Sequence, residues 1–181
     1  MKILIADDEP HYVKIISAMV RYLGHEAIPA AGGAAALTEF LAGEPQVILS
    51  DWVMPEIDGL EFCRKVRRSN RPDYVYFMLL TGMKTTHEDY LRAMEAGADE
   101  YITKPVDSEL LRVRLVVAER ILRLTHQVRD MQSLVPVCSS CRRIRRPDGA
   151  YIQFEQYFQE AGGRKFSHGI CPECAKKQSL A

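Results

Sequence analysis

Residues 46–59 read QVILSDWVMPEIDG, and this stretch decides the fold. A short apolar run, Val47-Ile48-Leu49, shows no alternation with polar residues. It stops at Ser50 and a carboxylate, Asp51, and gives way to turn-forming residues, Pro55 and the Asp58-Gly59 pair. A strand that is apolar on both faces must be covered on both faces, which is the condition of a parallel sheet between layers of helices. Working outward, similar β-rich runs occupy 2–6 (KILIA), 26–30, 74–80 and 100–103, and amphipathic helical patterns lie between them near 10–23, 33–42, 58–69 and 85–96. Strand and helix alternate five times, so the expected fold is α/β, a five-stranded doubly wound parallel sheet.

The 181 residues suffice for one ordinary domain and a small second module. With 47% hydrophobic and 27% charged residues the composition is that of a globular protein, which excludes wholesale disorder and collagen-like chains. The net charge of zero hides an asymmetry. Residues 136–181 carry eight Lys/Arg against four Asp/Glu, and residues 1–135 carry sixteen against twenty. No run approaches the ~18 uninterrupted apolar residues of a membrane span, and MKILIADDEP meets acidic residues too early for a signal peptide, so a cytoplasmic location with no membrane partner is expected.

The fifth helix is expected to begin after Lys104-Pro105, with Asp107 or Ser108 as its N-cap. Its apolar pattern runs through Leu110, Val113, Val117, Ile121, Leu124, Val128, Met131 and Val135, and from Val117 onward the spacing is that of a heptad seam. Two readings stay open here: one long amphipathic helix that projects as a linker, or a short dimerising coiled coil. The expected organisation is therefore a first domain at 1–122, an extended helix at 107–135 continuous with it, and a module at 136–181.

Ligands of an open parallel sheet bind at the carboxyl ends of its strands. Asp7 and Asp8 follow the first strand, Asp51 the third, Thr81-Gly82 the fourth and Lys104-Pro105 the fifth. Three crowded carboxylates repel one another and favour a hard divalent cation, for which magnesium is suited, and a bound cation prepares the place for a phosphoryl group. Taken singly, each residue has a plainer reading: Thr81 as a helix cap, Lys104 as a solvated side chain. Together at successive strand ends they form a site.

The blocks IADDEP, LSDWVMPEIDG, LLTG and YITKP resemble the four motif blocks of the response-regulator receiver domain of two-component signalling, over about residues 1–122. That resemblance implies Asp51 as phosphoacceptor, Asp8 as a direct magnesium ligand, Asp7 as a ligand largely through water, and the backbone carbonyl of Val53 as a further ligand. It implies that Thr81 and Lys104 contact the phosphoryl oxygens and that Tyr101 is a rotating aromatic switch, against the plainer reading of a half-buried strand tyrosine. Glu9 is expected in the first helical turn, favoured by the helix dipole. Val53 and Met83, at the two positions that tune phosphoryl lifetime in that family, are both apolar and are expected to impede the attacking water.

The tail holds two CxxC pairs, Cys138-Ser-Ser-Cys141 and Cys171-Pro-Glu-Cys174, separated by 29 residues. Four thiolates on two turns complete a tetrahedron, so structural zinc is expected, and a metal is a usual support for so small a module. A thiol redox pair and a single shared iron are the competing readings. Haem attachment is not expected, because Arg142 and Ala175, not His, follow the two pairs. His168, three residues before Cys171, is a candidate to replace one cysteine as ligand or to donate a hydrogen bond to a ligand, though packing or surface placement is the plainer reading. Between the pairs, PDGAY reads as a turn and IQFEQYFQEAGG as a short amphipathic helix whose Phe154, Tyr157 and Phe158 are expected to form the small core. The segment from CSSCRRIRRPDG to FSHGICPEC resembles a zinc-finger-like, zinc-ribbon-like tail of some bacterial receiver and sensor proteins.

These residues predict a phosphorylation-controlled switch that takes its phosphoryl group from a sensor histidine kinase or phosphotransfer protein. Output is expected through homodimerisation or docking of a protein target by the long helix and the zinc module. The alternatives are a DNA-binding transcription regulator that uses Arg142, Arg143, Arg145 and Arg146 on phosphates, which is not favoured because no recognition helix is visible, and a thiol redox sensor. No substrate pocket is legible beyond the phosphoacceptor site, so an enzyme is not expected, although a receiver slowly hydrolyses its own phosphoryl group. Cys63, His11, His25, His87 and His126 are assigned to packing or surface.

Overall fold

The computed structural model describes residues 1–69, 71–82, 86–133, 135–162 and 169–172, with side chains omitted at 132–133 and 161–162. The chain divides into two compact units, Met1–Asp130 and Met131–Ala181.

The first unit alternates β1 (Lys2–Asp7), α1 (Pro10–Tyr22), β2 (Glu26–Ala31), α2 (Gly33–Gly43), β3 (Val47–Asp51), α3 (Gly59–Arg68), β4 (Tyr76–Thr81), α4 (His87–Ala96) and β5 (Glu100–Thr103), and it carries most of α5 (Ser108–Ser133). The five strands form one parallel sheet in the order β2-β1-β3-β4-β5. β3 and β4 are buried along their whole length, as their unbroken apolar runs require.

Successive residues of each strand face opposite layers. Ile3, Ile5, Val47, Leu49, Met78 and Leu80 pack with Ile16 and Val20 of α1 and Leu111, Leu115 and Ala118 of α5. Leu4, Ala6, Ile48, Phe77 and Leu79 pack with Ala36 and Phe40 of α2, Phe62, Cys63 and Val66 of α3, and Ala93 of α4. Phe62 is the hub of this second layer, edge-on to Phe40 and Phe77 with ring centroids 6.4 and 5.6 Å away. Phe62→Ala would cost about 3–5 kcal/mol through lost burial and the cavity left behind.

Local signals set the helix starts. Asp58 caps α3 by accepting from the Glu61 amide at 2.7 Å. Asp107 caps α5 by accepting from the Leu110 amide at 2.8 Å. α4 is capped by Thr86, in a reciprocal capping box with Asp89, so Thr81 is not the cap of that helix. Glu9 stands at the N-cap of α1, not inside its first turn, and its side chain makes no capping bond. A further tie closes the far end of the sheet: Arg67 donates to the carbonyls of Gly97 and Val75 at 2.7 and 2.6 Å and to Asp99 Oδ2 at 2.7 Å.

The second unit contains a two-stranded antiparallel sheet, β6 (Ile144–Arg145) with β7 (Tyr151–Ile152), and then α6 (Phe154–Gly162). Gly149, at φ 90°, takes the left-handed conformation that the hairpin turn requires. Phe154 and Tyr157 each lie against Phe158, with centroids 4.8 and 5.3 Å away.

Candidate functional site

The chain passes from β1 to β2 on one side and then returns to β3 on the other, so the connections that leave the paired strands β1 and β3 run apart and leave a crevice at their carboxyl ends. β1 ends in Asp7 and β3 in Asp51. One carboxylate oxygen each from Asp7, Asp8 and Asp51 lies within 4.8 Å of the other two. Asp7 is buried, Asp51 is 9% exposed, and Asp8 is open to solvent. Backbone amides hold the loops in place: Glu9 N–H donates to the Asp7 side chain (Oδ1) at 2.9 Å, Trp52 N–H to the Leu80 carbonyl at 2.9 Å, and Lys104 N–H to the Thr81 carbonyl at 2.7 Å.

The Lys104 ammonium closes the cluster, with Nζ 2.6 Å from Asp7 Oδ2 and 2.9 Å from Asp51 Oδ1. Burial alone would lower the lysine's pKa, but its hydrogen bonds to Asp7 and Asp51 outweigh that and raise it, so it is cationic at any physiological pH. Burial raises the Asp51 carboxyl above the ordinary carboxylate range, and the bonds from Lys104 offset this only in part. The site thus brings three carboxylates together against one cation. The donor set is all oxygen, crowded and short of positive charge, and it fits a hard divalent ion such as magnesium. Asp8, which has no hydrogen bond or ion pair among the described residues, is free to ligate it.

Asp51, Thr81 and Lys104 share a cavity of about 370 Å³ with Val53, Glu9, Trp52 and Tyr12. Thr81 is 4% exposed, and Val53 is 63% exposed. Met83 lies outside the described residues. Tyr101, half-buried on β5, does not reach this cavity; its ring meets Tyr90 of α4 edge-on at 5.7 Å. Two cavity residues escaped the sequence reading. Trp52 follows the acceptor directly, and Tyr12 stands in the first turn of α1, the helix that begins just after β1. His126, assigned to the surface, stands 3.8 Å from Asp73 and 3.6 Å from Asp130.

In the second unit, Cys138 and Cys141 sit on one turn, closed by Arg142 N–H to the Cys138 carbonyl at 2.9 Å and Cys138 N–H to the Arg143 carbonyl at 2.8 Å. Arg142 is left-handed, at φ 59°. Backbone N–H groups of Cys141 and Ser140 hold the Cys138 thiol below its usual range. Amides gathered around a sulfur favour a thiolate, the form a soft cation binds, so this half of the donor set fits zinc. Cys171 is exposed, and Cys174 and His168 lie outside the described residues.

The described helices include none long and apolar enough to cross a membrane. Residues 3–116 match the response regulator receiver domain. The phosphate regulon transcriptional regulatory protein PhoB of Pseudomonas aeruginosa is 32% identical over 123 residues, 68% of this chain and 52% of that protein. The DNA-binding dual master transcriptional regulator RpaA of Synechocystis is 30% identical over 118 residues, 64% of this chain and 48% of its own length. The chain spans about half the length of these curated relatives. Among solved structures, the chemotaxis protein CheY4 of Vibrio cholerae superposes with a TM-score of 0.61 at 29% identity, covering 65% of this chain and 97% of that one. The five-stranded parallel sheet agrees with these likenesses, and the chain belongs to the response regulator receiver family.

Proposed function

We propose that the chain is a phosphorylation-controlled response regulator whose phosphoacceptor is Asp51. The observation that carries this reading is the position of Asp51: nearly buried at the end of β3, 2.9 Å from the Lys104 ammonium and opposite Asp7 across the crevice. A sensor histidine kinase or phosphotransfer protein supplies the phosphoryl group. An Asp51 oxygen bonds to phosphorus as the bond from phosphorus to the donor nitrogen breaks, and the electron pair leaves with that nitrogen, which takes up a proton. Asp7, Asp8, Asp51 and the Val53 carbonyl would hold magnesium, which supplies positive charge against the phosphoryl oxygens. Thr81 and Lys104 bind the transferred group. The protein receives and slowly loses a phosphoryl group but turns over no other substrate.

Output runs through α5 and the second unit. Leu124 and Val128 of α5 are exposed apolar side chains on the heptad seam, and Leu110 and Val113 are exposed earlier on the same helix, which supports a homodimer or a docked protein target. Cys138, Cys141, Cys171 and Cys174 hold structural zinc, supported by the amide-lined Cys138 thiol. A second reading, transcription control on DNA, draws on the printed descriptions of the relatives and on the clustered arginines. It is weaker, because Arg146 is engaged by Glu160 and the likeness covers only about half of each of those relatives. Tyr101, in contact with Tyr90, is the switch that senses Thr81.

The test is intact-mass measurement after incubation with phosphoramidate and magnesium, with light scattering on the same samples. One phosphoryl group is expected on the wild type, none on Asp51→Asn, and a phosphorylation-dependent change in assembly mass only in the former. Modification of Asp51→Asn would overturn the assignment.

A further inference from the structure

Lys104 is held from three sides, and only two of them are carboxylates. The third is the ring of Tyr12, whose centroid lies 4.4 Å from Nζ. Tyr12 is the third residue of α1 and lines the acceptor cavity. An ammonium this close to an aromatic face is attracted by the ring quadrupole, and the attraction grows where water is scarce, as around a lysine side chain that is 8% exposed.

The three contacts do not survive phosphoryl transfer equally. An Asp51 oxygen that bonds to phosphorus gives up most of its negative charge, so Lys104 loses that partner. A divalent ion at the acidic cluster draws on the same Asp7 and Asp51 carboxylates that now hold the ammonium. The ring offers no lone pair to a hard cation and no bond to phosphorus, so nothing in the reaction competes for it. Tyr12 is the one partner that Lys104 keeps throughout.

We propose that Tyr12 is a positioning residue for phosphoryl transfer: its aromatic face keeps the Lys104 ammonium beside Asp51 while the lysine exchanges carboxylate oxygens for phosphoryl oxygens. The inference rests on Asp51 as the acceptor. It assigns to α1 a part in the chemistry that the strand-end residues alone do not provide. A ring is required, and a hydroxyl is not.

The test compares the rate of phosphorylation by phosphoramidate in wild type, Tyr12→Phe and Tyr12→Leu, with magnesium affinity measured on the same proteins through Trp52, the only tryptophan, which adjoins the acceptor. Tyr12→Phe keeps the ring and is expected at the wild-type rate. Tyr12→Leu keeps the bulk without the quadrupole and is expected to be slower on the order of threefold to tenfold, at unchanged magnesium affinity. In a Lys104→Ala background the two substitutions should become equivalent, because a residue that acts through the lysine has nothing left to act on. Equal rates for Phe and Leu with Lys104 present, or a persistent difference without it, overturn the role of Tyr12. Phosphorylation that survives in Asp51→Asn overturns instead the acceptor assignment on which it rests.

Discussion

A Cβ placed on Gly59 would lie 2.3 Å from the carbonyl oxygen of Asp51 and 2.8 Å from Leu79 Cδ2. The first turn of α3 therefore presses directly on the backbone of the acceptor, and the Gly59 amide donates to the Trp52 carbonyl at 2.9 Å. The first neighbour is backbone, and the second is the end of a leucine side chain that is fully buried in the core and has little room to swing aside. Gly59→Ala must push the loop after β3 outward, at a cost of about 1–3 kcal/mol. Urea unfolding should show that loss together with slower phosphorylation, and an unchanged midpoint would mean that the loop gives way without strain.

Asp99 gathers several donors: Arg67, the Phe77 amide at 2.7 Å and the Tyr74 hydroxyl. The Arg67–Asp99 side chains are 23% and 18% exposed, so the pair is largely desolvated. Asp99→Ala strands a guanidinium and an amide and should cost about 3 kcal/mol. Arg67→Lys cannot reproduce three divergent bonds from one planar fork and should also destabilise measurably by thermal melting.

Burial raises the Asp51 carboxyl, and protonation removes its charge as the pH falls through that raised value. In metal-free buffer, the fluorescence of Trp52 should report an acid transition above the ordinary carboxylate range. Asp51→Asn has no such proton to bind and should lose the transition. Its persistence in that variant would assign the change to another group.

Val53 stands two residues after the acceptor, 63% exposed beside the cavity. An apolar side chain there neither orients nor activates water, so Val53→Asn should speed the loss of the phosphoryl group. An unchanged decay rate would show that water reaches phosphorus from another side.

The cysteines should separate cleanly by reactivity. Burial pushes the Cys63 thiol up to about 11, whereas amides hold that of Cys138 low. The thiolate is the reacting form, so in chelator-treated protein iodoacetamide should modify Cys138 well before Cys63 at neutral pH. Peptide mass mapping with zinc restored should show Cys138 protected. Equal labelling with and without the metal would refute its role as a ligand.

Much of this was legible in the linear chain. The unalternating runs at β1, β3 and β4 announce strands covered on both faces, and parallel strands place their carboxyl ends along one edge, so Asp7, Asp51, Thr81 and Lys104 follow from order alone. Cap chemistry at Asp58 and Asp107 is equally local. Other relationships depend on contacts between distant residues. Tyr12 reads as one more half-buried helical residue until α1 packs on the sheet and sets its ring against a lysine 92 positions away. Arg67 and Asp99 pair only because α3 and the turn before β5 flank the same end of β4. Periodicity and turn chemistry act over a few residues and so are written in the sequence. The partners of a buried charge are set by how helices pack across the sheet, and the tertiary structure alone decides them.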